Sequence, residues 1–269
     1  GGAYDSNSES HAYYWEDGIG MVDIGTLGGA NASAQKVNDN EMVVGWSEVP
    51  VGDIHAFYWT SGTGMVDLGT LGGNESRALG VNNNGMIVGM SRDANGDQHA
   101  FYYDTSASSP IMIDIGTLGG TSSQATAVNN NGMVVGHYKD ANSDDRSFYY
   151  DTSAPNPTMI DIGTLGGTFI YANDVNDDCT VVGGGEDANG NVHVFNFDCD
   201  WGTMNDMGKP LGHDSAIAYA ASEHGPGGFF WIIGRSVVPN PSRDNGFYWT
   251  HGSIGFGSVG YFPGGNHTE

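Results

Sequence analysis

MVDIGTLGG, residues 21–29, returns as MVDLGTLGG from Met65, as IMIDIGTLGG from Ile111 and as TMIDIGTLGG from Thr158. Met21 to Met65 spans 44 residues, and the steps from Met65 to Met112 and on to Met159 span 47 each. A fixed period in this range marks a solenoid, a propeller or an array rather than an ordinary globular fold. Whole repeats surround the phrase, so each residue can be weighed against its counterparts in the other copies.

One copy reads ATAVN (Ala125–Asn129), GMVVGHY (Gly132–Tyr138), an acidic loop, SFYYD (Ser147–Asp151) and MIDIGTLGG (Met159–Gly167). Short runs of Val, Ile and Tyr bounded by Gly and Asn predict β-strands joined by tight turns, four to a repeat. No window carries a 3.6-residue apolar period, so the chain reads as all-β. The repeat runs without a linker from residue 1 to residue 269, which predicts one repeat domain. About six repeats are present, the first and last incomplete. Four-stranded repeats of this length match the blades of a β-propeller, with an open β-solenoid or stacked array as the alternative.

The strand type HAYYW or HAFYY starts at His11, His55 and His99, recurs in altered form at Ser147, His193 and Gly246, and so occurs six times. The ATAVN type occurs five times. Both chain ends therefore fall inside one repeat. That count leaves three readings open: a trimmed chain, an incomplete blade, or self-assembly in which a neighbouring chain supplies the missing strand.

Asp and Glu number 32 against 8 Lys and Arg, for a formal charge of -24. Such a field repels phosphate backbones and excludes nucleic acid as a partner. Apolar runs are too short for a membrane-spanning helix, so no membrane insertion is expected. The two cysteines, Cys179 and Cys199, stand in the register of Gly132 and Thr152. These positions adjoin connections at the same end of a blade, which predicts a disulfide and an oxidising compartment.

The loop between the second and third strands repeats an oxygen-rich pattern: Asp5, Asn7 and Glu9; Asp93, Asn95 and Asp97; Asp140, Asn142 and Asp144; Asp187, Asn189 and Asn191. Oxygen donors at positions 1, 3 and 5 resemble the first half of a Ca²⁺ loop, without its distal glutamate. Asp-x-Asn-Gly is equally good turn chemistry. Both readings stay open. The histidines after these loops recur too often for a single active site, and the aspartates of the MVDIG phrase are expected to cap the adjoining turn. Asn31, Asn74 and Asn266 lie in glycosylation acceptor patterns.

Together HAFYW, HAFYY, VNNNGMVVG and DIGTLGG resemble the HAF-type extracellular repeats of secreted and cell-surface proteins. The resemblance covers nearly the whole chain. It implies a β-rich repeat outside the cell and no defined reaction.

The fifth full repeat departs from the pattern. GTLGG becomes GKPLGHD, the VNNNG turn becomes ASEHGPGG, and His213, Asp214, Tyr219, Glu223, His224 and Arg235 appear where other copies carry small, amide or apolar groups. His213, Asp214, Glu223, His224 and Arg235 are the candidate ligand-binding residues. His213, Tyr219 and Arg235 are the candidate catalytic set of a polysaccharide-active enzyme, a lyase or hydrolase. Against this stands drift of a terminal repeat. The expectation for the whole chain is a secreted or cell-surface module for binding or assembly, with a glycan or another surface protein as partner.

Overall fold

The structure, a computed structural model, describes residues 1–4, 8–223, 230–238, 243–250 and 257–258. Asp5, Asn7, His224 and Asn266 lie outside them. Among the described residues every regular element is a strand. No helix there is long and apolar enough to cross a membrane.

The strands form successive antiparallel meanders, as the repeat predicts. The first holds Gly2–Tyr4, Ser10–Glu16 and Gly20–Gly25; the second holds Ala32–Val37, Val43–Glu48, Ile54–Thr60 and Gly64–Asp67. The same four-strand order recurs from Gly72 to Gly116, from Ser122 to Asp161, from Gly166 to Gly208, and from Ser215 to Ser258. The third strand of one sheet meets the first strand of the next in a parallel bridge, as at Ile54–Glu75, Gln98–Ser122 and Val192–Ser215. The chain divides into two compact units, Gly1–Asp144 with Phe148–Asp161, and Asp145–Ser147 with Ile162–Glu269.

Within the first unit the core lies between consecutive sheets. Ala12 and Ile24 pack on Ala34, Val43 and Phe57; Val44, Ala56 and Leu68 pack on Val81, Ile87 and Phe101; Val88, Ala100 and Ile115 pack on Val128, Val134 and Phe148. In the second unit Val182 and Val194 pack on Ala218, Ile232 and Phe247. Face-to-face packing of successive meanders is the packing of a propeller-like fold.

One cross-strand pair recurs in every full sheet. Gly45, Gly89, Gly136, Gly183 and Gly234 lie on second strands, and Phe57, Phe101, Phe148, Phe195 and Phe247 lie fully buried on third strands. The register pairs Gly45 with Phe57, Gly89 with Phe101, Gly183 with Phe195 and Gly234 with Phe247. On the other side of each glycine the first strand bulges, with the register shifting at Ala34/Lys36, Ala78/Gly80, Ala125/Ala127, Ala172/Asp174 and Ala218/Ala220. The bulge brings a carbonyl into the space a side chain would need: a Cβ on Gly89 would sit 1.9 Å from the Arg77 oxygen, and one on Gly183 would sit 1.9 Å from the Tyr171 oxygen.

Tight turns between first and second strands are tied one period along the chain. The Asn38 side-chain amide donates to the Asn82 carbonyl at 2.7 Å, and that of Asn82 donates to the Asn129 carbonyl at 2.8 Å. Each of these asparagines also closes its own turn, the Asn82 Oδ1 accepting from the Asn84 and Met86 amides. In the second unit Asn176 donates to the Ser222 carbonyl at 3.1 Å.

The disulfide expected from the register is present. Cys179 and Cys199 are bonded, 5.5 Å apart at Cα. Cys179 has φ 60° where Gly85 and Gly132 have φ 81° and 83°, and the Cys199 amide donates to the Cys179 carbonyl as Thr152 does to Gly132. A 20-residue loop closed in this way stabilises the fold by roughly 3 kcal/mol.

Gly89→Ala is expected to destabilise the protein by about 1 to 3 kcal/mol, because neither the bulged carbonyl nor the sheet can move aside. Gly62→Ala, where a Cβ meets nothing within 4 Å, serves as the control. Chemical denaturation of the two variants checks this, and equal midpoints would refute the constraint.

Candidate functional site

The recurring histidines and aspartates form one structural device. His11, His55, His99 and His193 bond through Nδ1 to Asp23, Asp67, Asp114 and Asp206 on the following strand, at 2.8 to 2.9 Å. Each aspartate also accepts the amide of the glycine two residues on, Gly25, Gly69, Gly116 or Gly208, at 2.7 to 2.8 Å. The aspartates cap the turn as the sequence predicts. The histidines orient those aspartates rather than reaching into their own loops. Thr26, Thr70 and Thr117 then close the next turn by donating to the carbonyls of Gly29, Gly73 and Gly120.

The oxygen-rich loops close on themselves. Asp93 accepts the amides of Asn95 and Asp97 at 2.8 and 2.9 Å, and its second oxygen accepts from the Asn95 side chain. Asp140 takes the amides of Asn142 and Asp144, and Asp187 those of Asn189 and Asn191. The hydrogen bond from the Asn191 backbone, helped by its side chain, pulls the Asp187 carboxyl down to about 2. At Asp93 partial desolvation pushes the other way, yet the amides of Asp97 and Asn95 hold the carboxyl below its usual range. Glu9 is described, whereas Asp5 and Asn7 of its loop are not. Among the described residues no group of three His, Cys, Asp or Glu side chains is arranged to hold a metal.

The departures in the sixth sheet are spread along its strands. Tyr219 is the bulge residue between Ala218 and Ala220 and is 48% exposed, in the place held by Gln35, Leu79, Thr126 and Asn173. His213 and Asp214 lie before that strand begins at Ser215; the Asp214 amide donates to the Val237 carbonyl and its own carbonyl accepts from Lys209. Ser215 and Tyr219 are four positions apart in one strand, about 13 Å at 3.3 Å per residue, and His213 precedes that strand by two residues. Arg235 pairs in register with Ile217 on the neighbouring strand. The Glu223 Oε2 accepts the Asp177 amide at 2.8 Å, as the Asn83 Oδ1 accepts from Asp39, so it replaces an asparagine of the turn-to-turn ladder. Burial raises the Glu223 carboxyl, and the nearby carboxylates of Asp177, Asp178 and Asp174 add to this against the Asp177 amide.

Of the acceptor asparagines, Asn74 is exposed, while the Asn31 side chain is engaged with Glu48 and the Ser10 amide. The Ser76 hydroxyl of the Asn74 pattern is buried, accepting from the Ala56 amide and donating to the Gly69 carbonyl.

A groove that local sequence reading does not reveal lies in the first unit. It has a volume of about 500 Å³ and is lined by Asp67, Thr70, Tyr103, Pro110, Ile111 and Met112 among others. It combines a partly buried aromatic ring, a carboxylate, a hydroxyl and an apolar rim with Ile111 exposed. Asp67 and Thr70 are held in place by their turn hydrogen bonds.

The family model described as a protein of unknown function, DUF3466, matches residues 30–160 and again 73–194. Together these span more than half of the 269 residues, and the chain belongs to that family. The two starts, 30 and 73, differ by 43 residues, close to one repeat. No curated protein sequence matches the chain. Among solved structures it is similar to the putative TolB of Agrobacterium tumefaciens, with 8% identity and a TM-score of 0.55 over 88% of this chain and 83% of that one. It is also similar to the S511A mutant of puromycin hydrolase complexed with PGG, with 11% identity and a TM-score of 0.61 over 94% of this chain; it spans 42% of the hydrolase. At these identities the likeness concerns the fold.

Glu223→Gln keeps the acceptor and removes the charge. A raised folded pKa means that the ionised form costs stability, a cost present above that pKa and absent once the carboxyl is protonated. The variant is therefore expected to melt higher than the parent at pH 7.5, with the two converging below about pH 4. A pH-independent difference, or a lower melting temperature at pH 7.5, would contradict the ladder role.

Proposed function

We propose that this member of the DUF3466 family works outside the cytoplasm as a propeller-like binding and assembly module, and that its ligand is a glycan held in grooves between consecutive sheets. The groove beside Tyr103 carries the reading. An aromatic ring offers a face to a sugar, and the Asp67 carboxylate, beside the bonds it takes from His55 and Gly69, offers a further acceptor to its hydroxyls. The residue types recur, with Asp114, Thr117 and Tyr150 at the corresponding places one repeat on, but the Tyr150 ring is buried there, so the reading rests on the groove beside Tyr103. The disulfide supports an oxidising setting, in keeping with the resemblance to extracellular repeats. A polysaccharide lyase or hydrolase built on His213, Tyr219 and Arg235 is the alternative, with depolymerisation in a reducing-end assay as its test.

Titration of oligosaccharides of graded length and charge by calorimetry tests the binding reading. Tyr103→Phe, which keeps the packing on the core cluster, is expected to retain binding, and Tyr103→Ala to weaken it at least tenfold with a lower melting temperature, since Tyr103 packs against the cluster of Val81 and Phe101. Unchanged affinity in Tyr103→Ala, or no binding by any neutral or acidic glycan, would reject the groove.

Calcium belongs to the proposal as a weak addition at the loops of Asp93, Asp140 and Asp187. Each loop already closes through its own amides, so the ion would draw on the remaining carboxylate oxygens and water, in the roughly 10⁻⁴ to 10⁻³ M class of extracellular modules. At tenfold excess over such a Kd the native state gains about 1.4 kcal/mol by mass action. Identical melting curves in about 5 mM CaCl₂ and in EGTA would remove calcium from the reading.

A further inference from the structure

The groove beside Tyr103 owes its rim to a difference between repeats. In the second sheet residues 60–64 join Trp59 to Met65, whereas in the third sheet residues 104–111 join Tyr103 to Met112. This longer connection accounts for the step of 47 residues from Met65 to Met112, against 44 from Met21 to Met65. It carries Pro110 and Ile111 to the edge of the groove, with Ile111 63% exposed. One repeat on, residues 151–158 form a connection of the same length, but the Tyr150 ring before it is buried.

The polar side chains of this groove are one-sided. The Asp67 side chain is 42% exposed. His55 Nδ1 lies 2.9 Å from both of its oxygens, and the Gly69 amide donates to Oδ1 at 2.7 Å. A carboxylate has about four acceptor positions, so Oδ2 keeps one for a ligand. Thr70 is already committed, its hydroxyl donating to the Gly73 carbonyl and accepting the Gly72 amide. Burial, with the nearby Tyr58, raises the Tyr103 hydroxyl above its usual value and keeps it neutral. Among the described residues that line the groove none is Lys, Arg or His. The longer connection adds Asp104 and no basic residue.

These groups discriminate by charge. A ligand carboxylate, sulfate or phosphate would meet Asp67 with no countercharge beside it, which weakens binding. A ligand ammonium meets a carboxylate that bonds it and an aromatic ring that attracts it. The formal charge of -24 acts in the same direction, drawing cations towards the surface before contact.

We propose that the groove beside Tyr103 selects a glycan built of hexosamines with free amines, its ammonium on the Asp67 carboxylate and a pyranose face on the Tyr103 ring. The inference rests on the glycan reading of the same groove and narrows it to one class of sugar. Neutral sugars keep the ring contact and lose the ion pair, so they bind more weakly; acidic sugars are repelled.

The probes are the β-linked tetrasaccharides of glucosamine, N-acetylglucosamine and glucose, which share ring and linkage and differ at C2 alone. Each is titrated by calorimetry into the 269-residue protein at about pH 7, where amines of this kind are largely protonated. The glucosamine tetramer is expected to bind 1:1 and at least tenfold more tightly than the other two. That preference is expected to vanish at about pH 9, where the amines are neutral, and in Asp67→Asn, which keeps an acceptor for the Gly69 amide and removes the charge. A tetralysine peptide serves as the cation without a sugar ring and is expected to bind at least tenfold more weakly than the glucosamine tetramer. Equal affinity for the glucose and glucosamine tetramers would overturn the amine preference while leaving the glycan reading in place. Tetralysine binding as tightly as the sugar, or a preference that survives in Asp67→Asn, would also overturn it. Should none of the sugars bind, both readings fall together.

Discussion

A glycine facing a phenylalanine, under a bulge, is the constraint on which the remaining structure rests. The phenylalanine ring needs the space above the second strand, and the bulged first strand brings a carbonyl to the place where a Cβ would project. Only glycine satisfies both neighbours. The bulge in turn raises local twist, and twisted sheets pack face to face without the flat edges that would leave voids. Each buried phenylalanine contributes about 2 to 3 kcal/mol of burial. The pair survives in the sixth sheet as Gly234 and Phe247, where most polar signatures of the repeat are gone. The alanine before the bulge is kept with it, Ala218 standing where Ala34, Ala78, Ala125 and Ala172 stand.

Sheet-to-sheet ties are looser, and they show how a contact is kept while its residues change. In the second and third sheets a serine on the next first strand, Ser76 or Ser123, accepts the amide of an alanine on the third strand, Ala56 or Ala100. In the second compact unit the hydroxyl has moved to the other partner. Ser147 on the third strand accepts the Ala172 amide and donates to the Ile170 carbonyl, and Ile170 occupies the serine position. In each case the hydroxyl satisfies a buried amide of the opposite strand, so either strand can carry it. At Val194 and Ala216 both partners are apolar and buried, and no hydroxyl tie stands there. Glu223 in place of an asparagine is the same kind of exchange, made with a charge and therefore at a cost near other carboxylates.

The fold class, the four-strand order, the turn role of the MVDIG aspartates and the Cys179–Cys199 bond were legible because each follows from register within one repeat. Cys179 in the place of Gly132 even carries the left-handed φ of that position. The bulge and the asparagine ladder were not legible in the same way. Asn82 bonds a carbonyl 47 residues away, and Gly89 is fixed by a strand that bends only after packing. Their signal was present as invariance across copies: Gly45, Gly89, Gly136, Gly183 and Gly234 never vary, and that asked for a steric reason. At His213, Tyr219 and Glu223 the sequence shows departures from the repeat but not their places: an extended strand carries each residue about 3.3 Å further on, and Tyr219 falls on the bulge, at a place that varies in every copy.

A repeat that consumes its recurring polar groups internally narrows where recognition can lie. The His–Asp pairs hold turns, the loop aspartates close their own loops, and the ladder asparagines bind carbonyls. What remains is the set of side chains that no backbone group claims, such as Ile111, exposed at the rim of one groove; Tyr103 beside it also packs on the cluster that holds Phe101. The net charge of -24 bears on the same choice. It disfavours polyanionic partners at long range, and within reach of the surface it leaves stacking and hydroxyl hydrogen bonds as the contacts best able to discriminate between ligands. On the glycan reading proposed above, the spacing of such contacts is set by the repeat, while exposed rim residues such as Ile111, whose counterpart one repeat on is Thr158, differ from copy to copy.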